Sequence, residues 1–197
     1  MNNQDLKSLI NKAHENAVKH GFYDNLEKCK ETYEKLLMLI ISEIAEFMEA
    51  DRKGKWSPSG KPFDTDELSH MTYGAVEYYD FEMYYRDYVK GSAEEELADI
   101  CIRCFDMLGY IEADETDINK YSFFAEHCTE LSVPSLCYNM CGLLMCTYEE
   151  RDIADSLIQV VKATINWCSA HNVNLMLHIH AKMLFNMNRP RKHGKEY

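Results

Sequence analysis

The chain has 197 residues, only eight glycines and four prolines, and 46% hydrophobic side chains, which suits one sizeable helical core and argues against a strand-rich fold. A formal net charge of −12 excludes a broad electrostatic footprint for DNA or RNA, so no nucleic acid polymer is expected as a partner. A small anionic substrate is still admissible, because a metal and a few placed cations can reverse the field locally.

In chain order, the spacing predicts a first helix over 5–19, ended by Gly21, and a second over 25–52. The run Lys53-Gly54-Lys55-Trp56-Ser57-Pro58-Ser59-Gly60-Lys61-Pro62 is the clearest loop signal. A further helix starts near Asp64 and continues through the aromatic segment 73–88, with a break at Gly74. Gly91 and Ser92 separate it from the next helix, where Ser92 and Glu95 resemble a capping box. Beyond Tyr110 a polar stretch leads into apolar helices over 121–147 and 149–171, with Pro134 at a helix boundary. A joint at 172–174 opens the last helix, 175–188, which Arg189 and Pro190 end.

Two of these helices carry paired acids three residues apart, Glu43 with Glu46 and Glu96 with Asp99. That spacing puts each pair on one helix face. On the first helix Leu37, Ile40, Ile41, Ile44 and Met48 form the apolar stripe, with Glu43 at its edge among Leu36, Leu39 and Phe47. On the second, Leu97, Ile100, Cys101, Cys104 and Leu108 form the stripe, and Glu96 sits at its margin beside Met107. If the two helices pack together, four carboxylates converge. Their mutual repulsion is relieved by a hard divalent cation such as Mg²⁺.

The last helix places Lys182, Asn186 and Arg189 on one face, a line of donors suited to successive phosphate oxygens, although a basic helix end also complements the macrodipole. His178 and His180, two apart, point different ways and read as solvated or core-edge residues, not as a metal pair. The eight cysteines are scattered through apolar helical stretches and read as reduced, buried small side chains, with Cys101 and Cys104 on a core stripe and not in a redox motif. Trp56 and the tyrosines of 73–88 offer stacking faces for a base, against the commoner reading as core or interface. The first residues show no basic region followed by an apolar run, and no stretch approaches a membrane span; a soluble, cytoplasmic protein with no membrane partner is expected.

Glu43-xx-Glu46, Glu96-xx-Asp99 and Lys182-Met-Leu-Phe-Asn186-Met-Asn-Arg189-Pro190, in this order and helical context, resemble the three motif blocks of the MazG-like, all-α nucleoside triphosphate pyrophosphohydrolases. The resemblance covers the first half and last quarter of the chain. It implies a single all-α helical bundle domain over 1–197 in which Glu43, Glu46, Glu96 and Asp99 hold Mg²⁺, or Mn²⁺ in its place. It further implies that Lys182, Asn186 and Arg189 contact phosphates, and that water cleaves a nucleoside triphosphate to the monophosphate and pyrophosphate. Dimers or higher homo-oligomers are usual in that family. A homodimer is also suggested by the apolar residues Leu136, Cys137, Met140, Leu143, Leu144 and Met145, against the reading in which this segment folds back as a further layer of its own core. Two departures stand out: Ser42 occupies a position where the family often has a further Glu, with Glu49 one turn on, and the segment 111–162 has no counterpart in compact members. A catalytically silent scaffold acting through that helical insertion is the competing reading.

Overall fold

A computed structural model describes residues 3–56, 65–74, 77–114, 123–145 and 150–194. It is all-α, with no strand among the described residues. The helices are α1 (Asn3–Lys19), α2 (Lys30–Arg52), α3 (Thr65–Tyr73), α4 (Tyr78–Tyr84), α5 (Ala93–Tyr110), α6 (Phe123–His127), α7 (Val133–Met145), α8 (Glu150–Ala170) and α9 (Leu175–Met187). A π-helical turn, Tyr85–Val89, extends α4, and a 3₁₀ turn, Arg191–Gly194, follows α9.

Helix α5 is the axis of the bundle. It packs against α1, α2, α8 and α9. The expected stripe of Leu97, Ile100, Cys101, Cys104 and Leu108 is fully buried, and so are Ala98, Phe105 and Met107 on its other sides. Neighbours on several sides cover this amphipathic helix, so its acids Glu94, Glu95 and Glu96 are buried along with the apolar stripe. Small residues let neighbours come close: a side chain on Gly109 would begin 2.5 Å from the Cβ of His14 on α1.

Helix α2 begins at Lys30, five residues later than the sequence suggests, because Asn25 adopts a left-handed conformation that helices exclude. Its stripe behaves as expected, with Leu37, Ile40, Ile44 and Phe47 buried and Ile41 and Met48 partly so. The break at Gly74 is present, and Pro134 is the second residue of α7. The expected loop falls largely on 57–62, and part of the polar stretch on 115–120; both lie outside the described residues.

The described parts of 111–162 join the main core. Helix α7 packs on α2 and α8, and α8 packs on α5. Leu136, Cys137, Met140 and Leu144 are buried within this one chain, which removes the apolar surface expected to seek a second copy, although Met145 is exposed. A smaller core joins Leu68, Phe81, Tyr84, Tyr85 and Val89 to Leu177, Ala181 and Phe185 of α9. The tyrosines offered for base stacking therefore divide: Tyr84 and Tyr85 are core residues, whereas Tyr73 and Tyr79 are exposed. Two cysteine and histidine expectations change as well. Cys29 is exposed, and His178 is buried, its imidazole pushed down to about 4 by that burial. Cys101 and Cys104 are buried, and burial raises both thiols, Cys101 to about 12, so neither has the thiolate character of a redox pair.

No described helix is long and apolar enough to cross a membrane.

Candidate active site

The packing of α2, α5 and α9 brings the three sequence blocks to one place. Glu43, Glu46, Glu96, Asp99, Lys182, Asn186 and Arg189 all line a single cleft of about 370 Å³. Carboxyl oxygens of Glu43, Glu96 and Asp99 lie within 4.8 Å of one another. Glu46 lines the same cleft but is exposed and stands outside that trio.

The local reason lies in the start of α5. Ser92 caps it by accepting from the amide of Glu95 at 3.2 Å, as the capping box predicts. The Glu95 side chain does not complete the reciprocal bond to Ser92. It accepts instead from the amide of Gly91, which the left-handed φ of +75° at that glycine makes possible, and from the Tyr85 hydroxyl at 2.9 Å. The π-helical turn brings Tyr85 over to Glu95, where its ring also stacks on Phe185 of α9 at 4.5 Å. Three consecutive acids, Glu94, Glu95 and Glu96, are thereby buried in one helical turn.

Two cations are fixed among the acids. Lys182 Nζ lies 2.5 Å from both Glu95 Oε1 and Asp99 Oδ2, and its side chain is only 10% exposed. Burial by itself would lower the lysine, but Asp99 and Glu95 outweigh it and hold the ammonium above its ordinary value. Arg103 donates through Nε to Glu43 Oε1 at 3.1 Å, bridging α5 to α2. Behind it Asp106 accepts from Tyr23 at 2.8 Å and faces His14 Nδ1 at 3.0 Å. Asn186 is buried, and Arg189 Nη1 reaches its Oδ1 at 3.5 Å.

Even with Lys182 and Arg103 present, positive charge is in deficit. Burial, then Asp99 and Glu95, raise Glu96 to about 8, and burial with Glu43 and Glu95 holds Asp99 above its ordinary range against the pull of Lys182. Clustered oxygen ligands that hold their protons too tightly fit a hard divalent cation, with Glu43, Glu96 and Asp99 as the residues able to hold it.

Sequence reasoning missed Glu95 and Arg103. Glu95 reads as a cap until α9 delivers Lys182 to it. Arg103 carried a signal, since it follows Asp99 by four residues and so lies on the acidic face. The departure at Ser42 can be located. Ser42 is exposed, its hydroxyl donating to Leu39 O at 2.7 Å, and Glu49 is a surface acid paired with Arg52 and Lys53, so neither belongs to the cleft. Trp56 lines a different cavity.

No protein family, curated protein or solved structure matches this chain.

Proposed function

We propose that the chain is a Mg²⁺-dependent, MazG-like nucleotide pyrophosphohydrolase, with Mn²⁺ as a substitute ion. The observation that carries the reading is the convergence of seven residues from three distant segments on one cleft, acids on α2 and α5 with donors on α9 and just beyond its end. Glu43, Glu96 and Asp99 would hold the ion. When bound, such a cation neutralises triphosphate charge and lowers the pKa of water.

The chain's own groups divide the remaining work. Glu46, in the cleft but outside the ligand trio, takes the proton of the attacking water. The water oxygen bonds to the α-phosphorus, the bond from that phosphorus to the bridging oxygen breaks, and pyrophosphate leaves with the bond's electron pair. Arg189 and Asn186 stabilise the charge on the departing group, joined by Arg103, which lines the same cleft. Lys182 is assigned a different part from the one its motif implies: held by Glu95 and Asp99, it fixes the orientation of the acids.

Hydrolysis in ¹⁸O-water tests the bond assignment. The label should appear in the nucleoside monophosphate, and label in the released phosphate product instead would place the attack at another phosphorus. A homodimer is proposed on the family resemblance, since the inserted helices no longer argue for it.

A further inference from the structure

The end of α1 meets the end of α9 at one buried histidine. His20 follows the last residue of α1 and is 6% exposed. Its ring Nδ1 faces the carbonyl oxygen of Asn16 at 2.7 Å, and Nε2 faces that of Arg189, 169 residues downstream, at 3.1 Å. Both partners are carbonyl oxygens, so each contact is a hydrogen bond where its ring nitrogen carries hydrogen. The backbone of His20 takes a second hold on the same tail, its carbonyl accepting from the amide of Lys192 at 2.8 Å. These two holds fall on either side of Pro190, which has no amide hydrogen to offer.

The turn after the histidine is shaped for the tail. Gly21 has a left-handed φ of +76°, and a side chain there would begin 2.6 Å from Arg191 Nε. Asp24 pairs with Arg191. Arg189 itself lies two residues past the end of α9, where the helix no longer supplies partners for backbone carbonyls. Its amide donates to Asn186 O at 3.2 Å, and its carbonyl is taken by His20. From that anchored backbone the side chain lines the acidic cleft, with the guanidinium 5.9 Å from the Phe185 ring centre and Nη1 3.5 Å from Asn186 Oδ1. An arginine stem is a long lever. A rotation of about 10° at its backbone moves the charge by about 1 Å, a displacement that can cost roughly a hundredfold in rate.

We propose that His20 is a positioning residue for Arg189: from outside the cleft, its Nε2 fixes the backbone from which the guanidinium reaches the phosphates. The inference rests on the reading of Arg189 as a phosphate contact, and it adds a residue from α1's end that the three sequence blocks do not contain.

Two replacements separate the ring nitrogens. The amide nitrogen of His20→Gln stands near the place of Nε2, and that of His20→Asn near the place of Nδ1, so only the glutamine can still reach the Arg189 carbonyl. In the whole protein with Mg²⁺, His20→Asn should weaken inorganic pyrophosphate binding, read by calorimetry, and lower kcat/KM for any hydrolysed triphosphate, each by about tenfold or more. His20→Gln should recover most of both losses. In an Arg189→Ala background His20→Asn should cost nothing further, because its effect passes through Arg189. The proposal is overturned if the folded Asn and Gln variants lose binding equally, or if the His20→Asn loss adds in full to that of Arg189→Ala. Where a variant fails to fold, the wild type decides: nitrogen–proton NMR correlation of the His20 ring should find hydrogen on Nε2, and a bare Nε2 overturns the proposal. A wild-type chain that binds pyrophosphate in an Arg189-dependent way but hydrolyses nothing would refute the pyrophosphohydrolase reading and leave His20 to be judged by the binding arms. A chain that neither binds nor hydrolyses refutes both.

Discussion

Magnesium should stabilise the folded chain far more at pH 8 than at pH 6, and the acidic cluster sets the size of the difference. In the metal-free protein Glu96 is raised from 4.5 to about 8, so the native state binds its proton more tightly than the unfolded chain does. The stability this contributes is fully present below about pH 4.5 and is lost as the pH rises through about 8. A cation competes with that proton. At pH 8 about half of Glu96 is ionised, and Mg²⁺ at roughly 100 times its dissociation constant adds about 2.7 kcal/mol. For a chain of this length that is about 5–10 °C in Tm. Two pH units lower, the ionised fraction falls about fiftyfold, the same Mg²⁺ concentration sits near its dissociation constant, and the shift shrinks to about 1–3 °C. Thermal melts at both pH values, with and without Mg²⁺, read this directly. An equal shift at the two pH values, or a full shift in Glu43→Gln, would refute the shared carboxylate centre.

Glu43→Gln and Glu96→Gln should each abolish turnover while leaving helical circular dichroism intact, since the replacement keeps the shape and removes a ligand charge; near-normal rates at limiting Mg²⁺ would contradict the assignment. Lys182→Met leaves Glu95 and Asp99 buried without their shared cation and should destabilise the fold by about 3–5 kcal/mol near neutral pH, as denaturant melts would show. Arg189→Ala, by contrast, should raise KM or lower kcat with the melting temperature nearly unchanged. Sedimentation at micromolar concentration should give a dimer, and a fully active monomer would overturn that proposal.

The sequence carried the local parts of this account well and the spatial parts unevenly. Acids and cations at helical spacing announced which faces mattered, because three- and four-residue steps fix a face without any knowledge of neighbours. That α2, α5 and α9 turn those faces toward one cleft depends on packing angles no single segment encodes. Glu95 shows the limit clearly: its spacing from Ser92 is explained by capping, and only the π-helical turn that delivers Tyr85, together with Lys182 from 87 residues downstream, shows that its carboxylate is spent on holding the site. The burial of α5 beyond its stripe was hidden for a related reason. Phe105 and Met107 lie off its main stripe, and their burial follows from helices α1, α8 and α9 closing around it. Leu136 and Met140 could be read either as surface for a second chain or as a layer of their own core, and the packing of α7 on α2, distant in sequence, gives the second.

The central claim, that the cleft is a metal-dependent phosphoanhydride hydrolase site, is tested most directly by incubating the purified protein with a panel of normal, deoxy and modified nucleoside triphosphates, with Mg²⁺ and with chelator, and resolving the products. The account predicts Mg²⁺-dependent formation of a nucleoside monophosphate and pyrophosphate in equal amounts from at least one member of the panel, abolished in Glu96→Gln. No metal-dependent turnover of any triphosphate by the folded protein would contradict it.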